Sequence, residues 1–292
     1  MVRIALAPVP SKTTSGRLSR GTGRSPVRVQ HDLHASGLLH LERLASLAQS
    51  LPTSSVEHNL GALPDVLPGG VAPQKDLSPA EMVRTIESNG CWMVLKNIEQ
   101  DPEYAALLAA CVDTAERLLT PDEGRTVLRE GFVFLSAPGS MTPTHIDPEH
   151  NILLQLQGRK TMMIGSFESD TDLHLKAEEL HGGEHRNLTS PAHDLVSFEL
   201  APGDGVYVPV HAPHLVRNGE QTSISLSITW RTGATRRVAR IYAHNAGVRR
   251  RGGTPIPPGQ SGYRDTVASG LRVANALQRP VRRMRSSRGD SS

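Results

Sequence analysis

Apolar positions along this chain follow two different periods, and the change between them falls at Gly131. Before it, residues 38, 39, 41, 44, 45, 47, 48 and 51 are apolar at helical spacing, with Ser36 as the expected cap and Pro52 as the stop. A Gly/Pro-rich connector over 61–74 leads to Ser78-Pro-Ala-Glu81, where a capping Ser, a Pro at the first helical position and a Glu three residues on predict a helix reaching about Ser88. Cys91 to Lys96 reads as a short strand and Pro102 to Leu119 as a further helix. Beyond Gly131 the runs become short and β-type: Phe132–Leu135, Ile152–Leu156, Thr161–Ile164, Leu195–Phe198, Val206–Val210 and Ser223–Trp230, separated by Gly, Pro, Asp and Asn. Residues 165–194, rich in His, Glu and Gly, interrupt them as an expected surface insertion near the barrel mouth.

Many short strands with turns between them predict a mainly β protein with flanking helices, its core a jelly-roll closed on itself. The expected organisation is a basic disordered extension over 1–30 and a helical flank with short strands over 31–130. A β-barrel core then occupies 131–232, and C-terminal helices with an Arg-rich tail fill 233–292. Within that last part, Arg236 to Ala246 and Tyr263 to Leu277 have helical character fit to pack on the barrel or to pair two subunits.

Composition narrows the class. Hydrophobic residues make up 37%, with 26 Gly and 21 Pro, which describes a turn-rich globular chain. No apolar run approaches the ~20 residues that span a bilayer, so no membrane association is expected. Two cysteines, Cys91 and Cys111, are too few for a disulfide framework and point to a reducing, cytoplasmic setting. Charge is unevenly spread. Residues 1–30 carry six Lys or Arg and no acid, and residues 231–292 carry fourteen Arg against Asp265 and Asp290, which leaves an acidic middle. Basic ends attract nucleic acid through counterion release, but no aromatic stacking platform accompanies them, so only weak, sequence-independent association is expected.

Chemistry concentrates in Thr142-Pro-Thr-His145-Ile-Asp147 and its continuation to Lys160. In an extended segment residues two apart point the same way, so His145 and Asp147 can converge on one cation. His40-Leu41-Glu42 has the same spacing but lies in a helical stretch, where residues two apart diverge, and it is assigned no metal. Downstream, Gly203 to Asn218 holds a turn, a β run and two further histidines, His211 and His214. Two histidines and one carboxylate, with other positions left open, form the ligand set of non-haem iron(II) oxygenases. His181-Gly-Gly-Glu-His185 has the spacing of a helical zinc pair, but its two glycines disfavour the rigid helix such a pair requires. His150, His174 and His193 are expected at the surface or the mouth.

These residues resemble the jumonji-C (cupin-like) hydroxylases, and especially the asparaginyl hydroxylase that inhibits the hypoxia-inducible factor. The resemblance lies in Thr-Pro-x-His-x-Asp-x-x-x-Asn-x-x-x-Gln-x-x-Gly-x-Lys at 142–160 and Tyr-x-Pro-x-x-x-x-His at 207–214. It implies a double-stranded β-helix core and iron(II) held by His145, Asp147 and His214, the last preferred to His211 by its spacing from Pro209. It also implies 2-oxoglutarate as cosubstrate, with Lys160 on its distal carboxylate, Thr142 hydrogen-bonded to it and Asn151 near the metal-proximal carboxylate. The family's Asn on the last core strand is absent, and Ser227 is expected in its place. The implied activity consumes 2-oxoglutarate and O₂ to hydroxylate a C–H bond of a protein, peptide or small molecule, or to remove an N-methyl group. The competing readings are a non-catalytic cupin-like binding protein and a nucleic-acid-associated protein. Apart from the resemblance, an inward Lys160 requires an anion, because an unpaired buried ammonium is costly.

Overall fold

The computed structural model describes residues 7–8, 25–60, 77–120, 122–262, 265–267 and 270. A short strand β1 (Ala7–Pro8) pairs with β2 (Val27–Gln30), so strand structure begins inside the segment expected to be a disordered extension. The helix expected from Ser36 starts later: two single 3₁₀ turns, Leu33–Ala35 and Gly37–Leu39, precede α1 (Leu41–Ser50), whose cap position is His40. Ser36 is in extended conformation between those turns, and Gly37, with its low helix propensity, sits where the longer helix would have begun. After β3 (Val56–Leu60), α2 (Pro79–Arg84) carries the Ser78/Glu81 capping box read from the sequence. β4 (Cys91–Lys96) and α3 (Pro102–Leu119) follow within their expected bounds, while the 61–74 connector lies outside the described residues.

The β core then runs through β5 (Thr126–Ser136), β6 (Met141–His145), β7 (His150–Gln157) and β8 (Lys160–Ser166). Helix α4 (Asp170–Gly182) fills the expected surface insertion. The chain continues with β9 (His193–Leu200), β10 (Asp204–Val208), β11 (His214–Asn218), β12 (Ser223–Thr232) and α5 (Gly233–Arg250). The core therefore starts earlier than Gly131 and recruits strands from the flank: the large sheet has the order β1-β2-β10-β7-β12-β5-β4-β3, and the small sheet β6-β11-β8-β9. All strand pairs are antiparallel. Of the second C-terminal helix, Tyr263 to Leu277, only 265–267 and 270 are described.

Alternation along β12 shows how the two sheets come to face each other. Ile224, Leu226, Ile228 and Trp230 join one cluster with Leu44, Leu47, Met82, Tyr104 and Leu108 from α1, α2 and α3. The intervening Ser223, Ser225, Ser227 and Thr229 are equally buried, but they point the other way. β7 repeats the scheme with Ile152, Leu154 and Leu156 toward the helices. A second cluster joins Leu153 and Val206 of the large sheet to Met162, Ile164, Phe198 and Val216 of the small one, so the sheets enclose a space between them. Every strand at the centre of the large sheet is thus covered on both faces. The result is a double-stranded β-helix, or jelly-roll, with helices packed on its outer face.

Gly158 closes the turn from β7 into β8. Its φ of 69° is left-handed, and a Cβ there would overlap the backbone carbonyl of Thr222 in the turn before β12. That close approach sets the start of β8, and with it the position of Lys160.

Candidate metal centre and cosubstrate pocket

β6 and β11 are neighbours, and their register puts His145 directly opposite His214. The two imidazole centroids are 4.1 Å apart. Asp147, two residues beyond His145, turns one carboxylate oxygen toward both rings: Oδ2 lies 3.9 Å from His145 Nε2 and 3.4 Å from His214 Nε2. Among the described residues these three form the one group of His, Cys, Asp or Glu whose ligand atoms all lie within 4.8 Å of one another.

The backbone settles which nitrogen each ring presents. His145 Nδ1 lies 2.8 Å from the Pro143 carbonyl, and His214 Nδ1 lies 2.8 Å from the Ala212 carbonyl. A carbonyl only accepts, so each Nδ1 is assigned a proton and each ring turns its Nε2 toward Asp147. Burial, with His214 and Arg186 adding to it, lowers the His145 pKa well below the usual range and keeps that ring neutral. Burial alone would raise the pKa of Asp147, but the bond to His214 and the neighbouring His145 and Arg186 outweigh it and hold the carboxyl far below its ordinary value. One carboxylate and two imidazoles oriented by carbonyls, all facing one point, are a donor set that a divalent cation satisfies. The residues fit iron(II).

The other anticipated residues come to the same place. One cavity of about 550 Å³ is lined by Thr142, His145, Asp147, Asn151, Lys160, His214 and Ser227. Lys160 enters from β8, and its Nζ donates to Ser225 Oγ at 2.8 Å. Among the described residues no carboxylate pairs with it. Burial pushes its pKa down to about 7. Ser227 Oγ donates to Asn151 Oδ1 at 2.8 Å, across β12 and β7. Phe132, Phe134, Leu153, Met162 and Val216 supply apolar wall. Two polar atoms on the large-sheet side, Trp92 Nε1 and Thr229 Oγ1, are buried without a hydrogen-bond partner.

His211 takes no part in this convergence. Its Nε2 lies 2.9 Å from His181 Nε2, and both rings contact Tyr242 of α5. His40 and Glu42 sit on α1 and its cap, outside the cavity lining. His150, expected near the mouth, is instead fully buried on the helix-facing side, between Tyr207 Oη at 2.9 Å and Glu123 Oε2 at 2.7 Å. His174 bonds Tyr242 Oη at 2.8 Å, while His193 is exposed at the edge of the small sheet. His181 and Gly182 end α4, and Gly183 at φ 103° terminates it, so the His181/His185 spacing does not continue on a helix.

Sequence reasoning missed two residues. Ser225, the partner of Lys160, was visible only as one of the alternating hydroxyls on β12. Arg186, whose Nη1 lies 3.0 Å from Asp147 Oδ1, stands in the interrupting segment, where no periodicity marks it. The cavity wall from β3 and β4, including Glu57, Trp92 and Lys96, also comes from a part of the chain expected only to flank the core.

Residues 125–238 match the JmjC domain family. A JmjC domain-containing protein D of Dictyostelium discoideum is 27% identical over 139 residues, covering 44% of this chain and 30% of that protein. Lysine-specific demethylase 8 of Danio rerio is 32% identical over 104 residues, covering 32% of this chain and 25% of the relative. The matched region is thus about a quarter to a third of these relatives' length. A ribosomal oxygenase of Escherichia coli, solved with cobalt and 2-oxoglutarate, aligns over 82% of this chain and 56% of its own, at 18% identity and a TM-score of 0.45. Among the described residues no helix is long and apolar enough to cross a membrane. With its facing antiparallel sheets and three convergent side chains, the region 125–238 is similar to the JmjC domain family that its sequence matches.

Proposed function

We propose that this chain is an iron(II)- and 2-oxoglutarate-dependent oxygenase that hydroxylates a C–H bond on a protein or peptide side chain. The observation that carries the reading is the convergence of a two-histidine, one-carboxylate set and an anion-lacking buried lysine on one cavity. His145, Asp147 and His214 would hold the iron through two Nε2 atoms and Oδ2. Bound there, iron(II) supplies the oxidative chemistry that couples decarboxylation of 2-oxoglutarate to oxygen insertion. Lys160 gives its ammonium to the distal carboxylate of the cosubstrate, with Thr142 beside it. Asn151, oriented by Ser227, faces the end nearer the metal. The apolar wall excludes water and strengthens the Lys160 contact.

The substrate class follows from room and walls. About 550 Å³ accommodates a five-carbon dicarboxylate and one further side chain, which favours a side chain delivered by a larger partner. The unpartnered Trp92 Nε1 and Thr229 Oγ1 are available to orient it. The name of the Danio rerio relative raises demethylation as the second reading. Mass spectrometry of peptides incubated with protein, iron(II) and 2-oxoglutarate separates the two. The proposal expects a gain of one oxygen atom. Loss of a methyl group from methylated peptides alone would replace hydroxylation by demethylation as the outcome.

A further inference from the structure

Asp147 has two carboxylate oxygens, and the structure gives them different partners. Oδ2 faces the Nε2 atoms of His145 and His214, whereas Oδ1 receives Arg186 Nη1 at 3.0 Å. Arg186 is held there by more than its own side chain. The backbone of 186–188 lies antiparallel against the metal-ligand strand: Ile146 N donates to Arg186 O at 3.2 Å, Leu188 N donates to Thr144 O at 2.9 Å, and His145 and Asn187 form a bridge. Lys176 of α4 fastens the same segment, donating from Nζ to the His185 carbonyl at 3.1 Å. The strand that carries His145 therefore also fixes the residue that grips Asp147.

We propose that Arg186 is a positioning residue that occupies Asp147 Oδ1 and restricts the carboxylate to one metal contact through Oδ2. The inference rests on the metal reading above. Its chemistry is simple: a guanidinium on one carboxylate oxygen draws that oxygen's electron density away from the metal and disfavours chelation through both. One coordination position then stays open for the cosubstrate. The guanidinium also places a positive charge beside the ion, which lowers the affinity of the site for it. Arg186 thus exchanges strength of metal binding for an open position.

The test uses the full chain and cobalt(II) as the probe, under anaerobic conditions, with affinity and visible absorption as readouts. The side chain of Arg186 is 46% exposed and its segment is fixed through backbone bonds, so Arg186→Gln leaves folding intact. Removing the charge and freeing Oδ1 should tighten cobalt binding about tenfold and change the cobalt absorption. It should also weaken succinate, used as an unreactive dicarboxylate, at the cobalt-loaded site. Arg186→Lys, which keeps the charge, should restore most of the weaker affinity. Cobalt affinity in Arg186→Gln equal to or below that of the unaltered protein, with the same absorption, overturns the proposal while leaving the metal site standing. A protein that binds no cobalt, or an Asp147→Ala variant that binds it as well as the unaltered chain, overturns the metal reading itself.

Discussion

Lys160 Nζ donates to Ser225 Oγ at 2.8 Å and, among the described residues, has no anionic partner. A buried ammonium with one hydroxyl for company is poorly satisfied, and its pKa falls to about 7 for that reason. The ordinary lysine value is 10.5, so between about pH 7 and 10.5 the unfolded chain holds a proton that the folded chain releases. Stability should therefore rise with pH across that window, and the penalty is fully present below it. A dicarboxylate reverses the situation by supplying the missing charge. Its affinity should be greatest near and below pH 7 and should fall toward tenfold per pH unit above it. Calorimetry in two buffers of different ionisation enthalpy should show proton uptake on succinate or 2-oxoglutarate binding, and Lys160→Met should lose it. The same substitution should weaken dicarboxylate binding about ten- to hundredfold while leaving iron binding nearly unchanged.

The metal ligands and their sequence look-alikes make opposite predictions. Asp147→Ala and His214→Ala should abolish iron binding measured by anaerobic titration. His40→Ala and Glu42→Ala should not alter it. His211→Ala should keep the metal but lose roughly 2–3 kcal/mol of stability, because it leaves a cavity and strips half-buried His181 of its Nε2 partner at 2.9 Å. Iron lost from His211→Ala and kept in His214→Ala would reverse the assignment of the second histidine.

Much of this arrangement was legible in the chain because it depends on local rules. The Ser78/Glu81 capping box and the Pro102 helix start are decided by neighbours within three residues, and both are present, although α2 ends at Arg84 rather than near Ser88. Six core strands, β5, β7, β8, β9, β10 and β12, were found by their β-type composition between turn residues, whereas β6 and β11 were not among the runs so marked. Only Val206–Val210 overran its strand, by Pro209 and Val210. The partners of those strands were not legible. β2 reads as part of a basic tail, yet it pairs with β10 because Val29 finds a fully covered site there. His150 looks like a polar mouth residue, but it lies on the Trp230 ring with a carboxylate at one nitrogen and a phenol at the other. Arg186 depends on a backbone ladder formed across some forty residues, and no local period records such a contact.

Gly158 should be intolerant of even the smallest side chain. Its left-handed φ and the Thr222 carbonyl beside it would force β7, β8 and the turn before β12 to shift together. Gly158→Ala should cost about 3 kcal/mol or more, read as a lowered thermal midpoint, and should weaken dicarboxylate binding through displacement of Lys160. A variant with unchanged melting would mean that the turn relaxes freely.

Helix α5 should be needed for the integrity of the site. It buries Ile241, Tyr242, Asn245 and Ala246, and Arg249 Nε reaches Glu178 of α4 at 2.6 Å. α4 in turn leads into the segment that carries Arg186. Removing 233–292 should therefore lower thermal stability, increase aggregation in light scattering and loosen protection of amides 184–188 in hydrogen exchange. A monodisperse 1–232 fragment with unaltered protection there would show that α5 is dispensable.

The most direct test of the account is the formation of succinate by anaerobically purified full-length protein given one equivalent of iron(II), 2-oxoglutarate and then O₂. The account predicts slow succinate release that requires iron, is abolished in Asp147→Ala, and in Lys160→Met returns only at much higher 2-oxoglutarate. Succinate formation that persists unchanged in Asp147→Ala, or no turnover of 2-oxoglutarate by an iron-loaded protein in the presence of any side-chain substrate, would contradict it.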